Sequence, residues 1–84
     1  MLFRSKLQAA RKTLELYRKE LLPQADTRFK ASEAAYRSGT GDFLELLESE
    51  RFRLNARVMT AMAEANLGMR AARLERATGA EVKP

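Results

Sequence analysis

Tyr36-Arg37-Ser38-Gly39-Thr40-Gly41-Asp42-Phe43-Leu44-Glu45 is the stretch that decides how this chain folds. Inside it, Ser38-Gly39-Thr40-Gly41-Asp42 is the one clustered turn signal in the sequence. Gly39 suits the left-handed backbone position that follows a helix. Asp42, with Glu45 three residues further on, is a capping-box pattern and starts a second helix at Phe43. Acidic residues just inside that helix complement the positive end of its dipole. A helix stop followed at once by a helix start makes a hairpin.

Working outward, apolar residues before the turn recur at heptad spacing: Leu7, Ala10, Leu14, Tyr17 and Leu21, then Leu22, Ala25, Phe29, Ser32 and Tyr36. The phase slips by one residue at Pro23, whose ring removes a hydrogen bond and bends a helix axis. The spacing predicts one helix over about 3–37, irregular near Leu21-Leu22-Pro23. After the turn, Leu47, Leu54, Val58, Ala61, Ala65, Gly68 and Ala72 form one stripe, with Arg51 in its single polar position. Met59, Ala63, Leu67, Ala71 and Leu74 form a second. This helix is expected over about 43–78, stopped by Thr78-Gly79, with a frayed tail over 79–84. Each arm of ~36 residues is roughly 54 Å long at 1.5 Å rise per residue. The fold class is all-α, a single long antiparallel helical hairpin of coiled-coil type. Two apolar stripes on one helix imply more than one neighbour. The second stripe needs a cover that a two-helix hairpin does not supply, so self-association is expected.

Composition points the same way. Eighty-four residues allow one domain, and the hydrophobic share of 45% is rich in alanine, with only six aromatic rings. Lys and Arg outnumber Asp and Glu by five; residues 1–38 carry nine basic against four acidic groups, and residues 39–84 seven of each. The basic residues are spread along the first arm and read as a solvated helix face. No aromatic-interleaved patch suggests nucleic acid. No apolar run reaches the ~18–20 residues of a membrane-spanning helix. Met1-Leu2-Phe3-Arg4-Ser5-Lys6 is not followed by the apolar core of a signal peptide.

The sequence contains neither cysteine nor histidine, which removes thiolate chemistry and the commonest general base and metal ligand. No phosphate-binding glycine loop, zinc-protease motif or calcium loop is present. The chain is therefore read as a non-enzyme without cofactor. Asp42, Glu45, Glu48 and Glu50 could form a cation site or an acidic docking edge, but are read first as dipole complement and solvated helix surface. Met59, Met62 and Met69 are read as packing residues rather than a soft-metal site. Tyr36 and Phe43 bracket the turn and are placed to pack on one another.

The run Ala34-Ala35-Tyr36-Arg37-Ser38-Gly39-Thr40-Gly41-Asp42-Phe43-Leu44-Glu45-Leu46-Leu47-Glu48 resembles the repeat signature of the TolC-like outer-membrane efflux protein family. That signature is a tyrosine, two residues, a glycine, a short polar stretch and an apolar/acidic run. Tyr17 to Ala25 resembles the family's lead-in segment, and Ala71 to Gly79 the end of its last long helix. Leu22-Pro23-Gln24 and Gly39-Thr40-Gly41-Asp42 are closer to the metal-cation efflux branch than to the drug-efflux type. The resemblance spans roughly Leu14 to Gly79. It implies a trimeric outer-membrane channel whose β-barrel continues into a periplasmic α-barrel. This chain would supply one α-hairpin, the second, with its turn at the periplasmic tip. There the family closes its channel and meets a periplasmic adaptor protein, which links it to an inner-membrane pump. Carried across, the tip residues are Tyr36, Ser38, Gly39, Thr40, Asp42, Phe43 and Glu45; some relatives carry a basic residue where Gly41 stands. The segment itself would not insert in the membrane.

Two other functions compete. A helical hairpin of the adaptor would show an arginine, a leucine and a serine at set spacing around its turn. A cytosolic coiled-coil or nucleic-acid-binding module would use the basic first arm, with steeply salt-dependent binding. Without histidine or cysteine, no tight transition-metal site is expected. Calorimetric titration with Cu(I) or Zn(II) should give no stoichiometric heat, and a site lost on replacing Met59 and Met62 would overturn this.

Overall fold

The computed structural model describes residues 2–82. It consists of α1 (Leu2–Leu16), a π-helical turn (Tyr17–Leu21), α2 (Leu22–Ser38) and α3 (Phe43–Val82). The first three form one continuous arm, and α3 packs along each of them in turn. The extents of 70 × 14 × 13 Å and a radius of gyration of 19.0 Å describe a rod. A compact chain of this length would have a radius near ~12 Å. The described residues are helical apart from the turn.

The one-residue slip in the first arm has a structural counterpart. The Leu22 N–H donates to the Tyr17 carbonyl, five residues back, so one extra residue is housed in the turn before Pro23. Pro23 has no N–H to offer and its ring crowds the carbonyl four residues earlier, that of Lys19. Widening the preceding turn relieves that crowding, and the irregularity therefore lies at Tyr17–Leu21, just upstream of the proline. The inserted residue restores the stripe. Leu7, Ala10 and Leu14 are buried before the π-turn, and Ala25 and Ser32 after it. Lys19 bonds Glu15 one turn back across the start of this segment. That hydrogen bond, with the attraction between the charges, holds the Glu15 carboxyl below its usual range and raises Lys19. Both groups are fully exposed, so the pair is local.

The second arm faces the other way round from the expectation. Leu46, Ser49, Arg53, Ala56, Thr60, Ala63 and Leu67, spaced alternately by three and four residues, are buried or half-buried and form the seam. Leu47, Leu54, Val58, Ala61, Ala65 and Gly68 are exposed. Of the stripe expected to need an outside cover, Ala63, Leu67, Ala71 and Leu74 are half-buried, and Met59 is exposed. The cause is rotation. Glu45 turns along the seam to Arg28 (3.1 Å) and Ser32 (3.5 Å), which carries Leu46 and Ser49 inward and Leu44 and Leu47 outward.

Small residues at the seam let the two helices approach closely. Ala25 and Ser49 are 0% exposed and Ala56 1%. The seam hydroxyls of α3 are satisfied on their own helix: Ser49 Oγ donates to the Leu46 carbonyl and Thr60 Oγ1 to that of Ala56, each at 2.8 Å. Long cationic side chains lie along the flanks. Arg18 reaches Glu64 at 3.4 Å. The Arg53 guanidinium lies 3.7 Å from the Phe29 ring centre, and that of Arg28 lies 5.6 Å from Phe52. Each such stacking contributes ~0.5–1 kcal/mol at a partly exposed site. The Nε of Arg53 is buried without a hydrogen-bond partner, its charge resting on the ring face.

Two ends differ from the expected bounds. The first arm continues to Ser38, and α3 runs through Gly79 to Val82 rather than stopping at Thr78. A helical glycine costs ~1 kcal/mol, and Ala80 and Glu81 after it are good helix formers. Lys83 and Pro84, the end of the expected tail, lie outside the described residues.

Deleting Glu20, an exposed residue of the π-turn, should convert the arm to uninterrupted α-helix with its seam in register. The melting temperature followed by circular dichroism should fall, because crowding at Pro23 returns, but by less than a shift of register costs. Deleting Lys30 instead should turn Ser32 and the residues beyond it by ~100° and lower the melting temperature by several degrees. Equal losses in both variants would mean that the π-turn is not the register device.

Candidate functional site

The tip is organised around one carbonyl. The Ala35 oxygen accepts the N–H groups of Thr40 and Gly41, both at 2.9 Å, while the Gly39 N–H reaches the Tyr36 carbonyl at 3.1 Å. The pairing of Thr40 with Ala35 and of Gly39 with Tyr36 is a Schellman closure, and it satisfies carbonyls a helix end leaves open. It requires the left-handed backbone that Gly39 adopts at φ 83°. The Ser38 hydroxyl, at 3.1 Å, and the Thr40 hydroxyl, at 3.3 Å, also face the Ala35 oxygen. They lie 3.0 Å from each other.

Gly41 is required for a different reason. A side chain there would bring its first carbon to 2.8 Å from Cβ of Ala35, so the chain can pass over the end of α2 only without one. That close approach is what the sequence reading missed; the Gly-Thr-Gly pattern carried the signal. Asp42 then starts α3, its Oδ1 accepting the Glu45 N–H at 2.7 Å. The capping box is half used, because the Glu45 carboxylate turns instead to Arg28 and Ser32.

The seven expected tip residues therefore divide. Gly39 and Asp42 set the backbone, and Ser38 and Thr40 brace it. Glu45 belongs to the pairing of the arms. Tyr36 and Phe43 stand outward, 45% and 56% exposed, with ring centres 5.8 Å apart and planes inclined at 50°. Leu44 and Leu47 extend this apolar surface onto α3, at 63% and 41% exposed. Both were assigned to the apolar/acidic run of the family signature, and their outward placement follows only from the rotation of α3. The result is a hydrogen-bonded turn flanked by the exposed apolar side chains of Tyr36, Phe43, Leu44 and Leu47.

A second feature lies along the rod. An open groove of about 660 Å³ runs between α1, the π-turn and α3, lined by Tyr17, Met59, Met62, Ala63, Asn66 and Met69 among others. The three methionines, expected as packing residues, are exposed and find no full cover within the hairpin. Met59 and Met69 are ~15 Å apart along the helix axis, too far to share one ion. Among the described residues no group of three or more acidic, histidine or cysteine side chains is placed to hold a metal, and no helix is long and apolar enough to cross a membrane.

Comparison with known proteins adds no relative: no family model, curated protein or solved structure matches this chain.

Replacing Asp42 by Ala should lower the unfolding free energy by ~0.5–2 kcal/mol. Gly41→Ala should destabilise the turn as well, through steric conflict with Ala35. Amide exchange at Thr40 should accelerate in the Gly41→Ala variant while exchange at Ala25 and Ala56 stays slow. Uniform acceleration along both arms would contradict a local role for Gly41.

Proposed function

We propose that this chain is a periplasmic helical hairpin of an outer-membrane efflux channel. It forms part of an α-barrel wall as an antiparallel coiled coil, and docks a periplasmic adaptor at its tip, serving export of small molecules or metal ions. The observation that carries this reading is the two-sidedness of α3. One face closes on the first arm, and the opposite face, with Leu47, Leu54 and Val58, is apolar and open. A helix of a barrel wall needs a neighbour on each side; an isolated hairpin needs one. The family-like run from Ala34 to Glu48 supports the same reading, and its apolar tip is where an adaptor hairpin would bind. The reading assigns no catalysis, no cofactor and no insertion of this segment into the membrane.

The test separates turn geometry from docking in the complete channel protein. Gly39→Val forces a β-branched residue into a left-handed position, at a cost of ~1–2 kcal/mol. Asp42→Lys removes the cap. Both losses are small beside a long helical wall, so the protein should still assemble. Resistance or efflux should fall several-fold, and crosslinking from Ser38→Cys to the adaptor should weaken. Glu15→Gln, which removes only the exposed pair with Lys19 on the first arm, should leave crosslinking intact. Normal efflux and unchanged crosslinking in both tip variants would remove the docking role from these residues.

A further inference from the structure

We infer that two copies of this chain pair through the outward face of α3, with their tips at opposite ends. The face runs from Leu44 to Ala72, ~43 Å at 1.5 Å per residue. Leu44, Leu54, Val58 and Met62 on it are between 49% and 66% exposed. An apolar strip of that length, interrupted by Arg51, is the kind of exposed surface that marks an interaction site. The outward surface of the first arm offers no comparable strip: among its described side chains, Leu16 and Tyr36 are the large apolar groups counted as exposed.

The direction of pairing follows from a gradient of side-chain size. Toward the tip the face is bulky, with Leu44, Leu47 and Leu54; toward the far end it is small, with Ala61, Ala65, Gly68 and Ala72. Two copies aligned tip to tip would set leucine on leucine at one end and leave alanine facing glycine or alanine at the other. Arg51 would then confront Arg51, a like-charge contact in a partly desolvated seam. Opposed copies remove both faults. With Val58 across from Ala61 of the second copy, Leu54 meets Ala65, Arg51 meets Gly68 and Leu47 meets Ala72, each layer one large and one small group. Knobs of unequal size then interdigitate at a constant helix separation.

Charge gives the same orientation independently. Glu48 and Glu50 flank the face near the tip, and Arg73 and Arg76 near the far end. Opposed copies bring the acidic end of one against the basic end of the other, and set exposed Arg57 alongside Glu64 of the second copy, which keeps its own pair with Arg18, twice by symmetry. This pairing is a property of the chain alone and does not rest on the channel reading: a barrel neighbour with its tip aligned would occupy the same face and displace the second copy.

The chain lacks cysteine, so single introduced thiols report the geometry cleanly. Leu54→Cys and Ala65→Cys chains, mixed and oxidised, should yield the mixed disulfide in preference to either symmetric one. Two Leu54 positions in opposed copies would lie ~16 Å apart along the axis. Sedimentation of the unaltered chain at roughly tens of micromolar should give a dimer, and Val58→Glu should weaken it at least tenfold while the helical signal persists. Predominant Leu54–Leu54 disulfides would mean aligned tips and overturn the proposal. So would a monomer at that concentration. The disulfide experiment decides the matter even if Val58→Glu disturbs folding.

Discussion

The carbonyl of Ala35 is the point on which the hairpin turns. The N–H groups of Thr40 and Gly41 both converge on it, which ends the first arm and swings the chain across the end of α2 in a few residues. So short a path leaves no freedom in how α3 begins. Asp42 must cap it, Glu45 must lie over Arg28 and Ser32, and the rotation of the whole second arm follows. A helix propagates phase: an error of one residue at its start turns every later side chain by ~100°. The face that α3 presents to its partner forty residues later is thus set at the tip.

The π-turn does for the first arm what the tip does for the second. The Tyr17–Leu21 segment absorbs one residue, so that Leu7 and Leu14 on one side and Ala25 and Ser32 on the other meet the same partner helix. Between these two devices the seam is narrow and lined with small groups, and its large apolar side chains are few. Stability then depends on close helix approach and on arginine guanidinium groups laid over Phe29 and Phe52. Bulky residues that a globular core would absorb are left outside. The fold is a component with one face finished and one open, and this asymmetry gives the functional proposal its physical content.

Much of the local structure is legible in the sequence. Gly39 and the Asp42 cap announce the reversal because each residue type answers a particular backbone demand. The heptad slip announces an extra residue in the first arm, since periodicity reports helix phase directly. The function of the tip is only partly legible. Tyr36 and Phe43 were singled out and do pair in the open, whereas Glu45 looked like a tip residue and is engaged along the seam. Leu44 and Gly41 drew no attention as site residues, the first because exposure depends on rotation, the second because its neighbour Ala35 is close only in space.

By itself the sequence determined the helices, the place of the turn and the two apolar faces of α3. These depend on interactions between residues within a turn or two of one another, and the chain states them in order. It did not determine which face of α3 closes on the first arm, because Leu47, Leu54 and Val58 in one stripe and Ala63, Leu67 and Leu74 in the other both recur at helical spacing. Periodicity cannot rank two faces of equal period. Only the tertiary structure decided it, through the geometry at Ala35, Gly41 and Glu45, where contacts across the turn fix the rotation. That choice turned Ser49, Ala56 and Thr60 inward, where close packing uses them, and left Leu47, Leu54 and Val58 facing out.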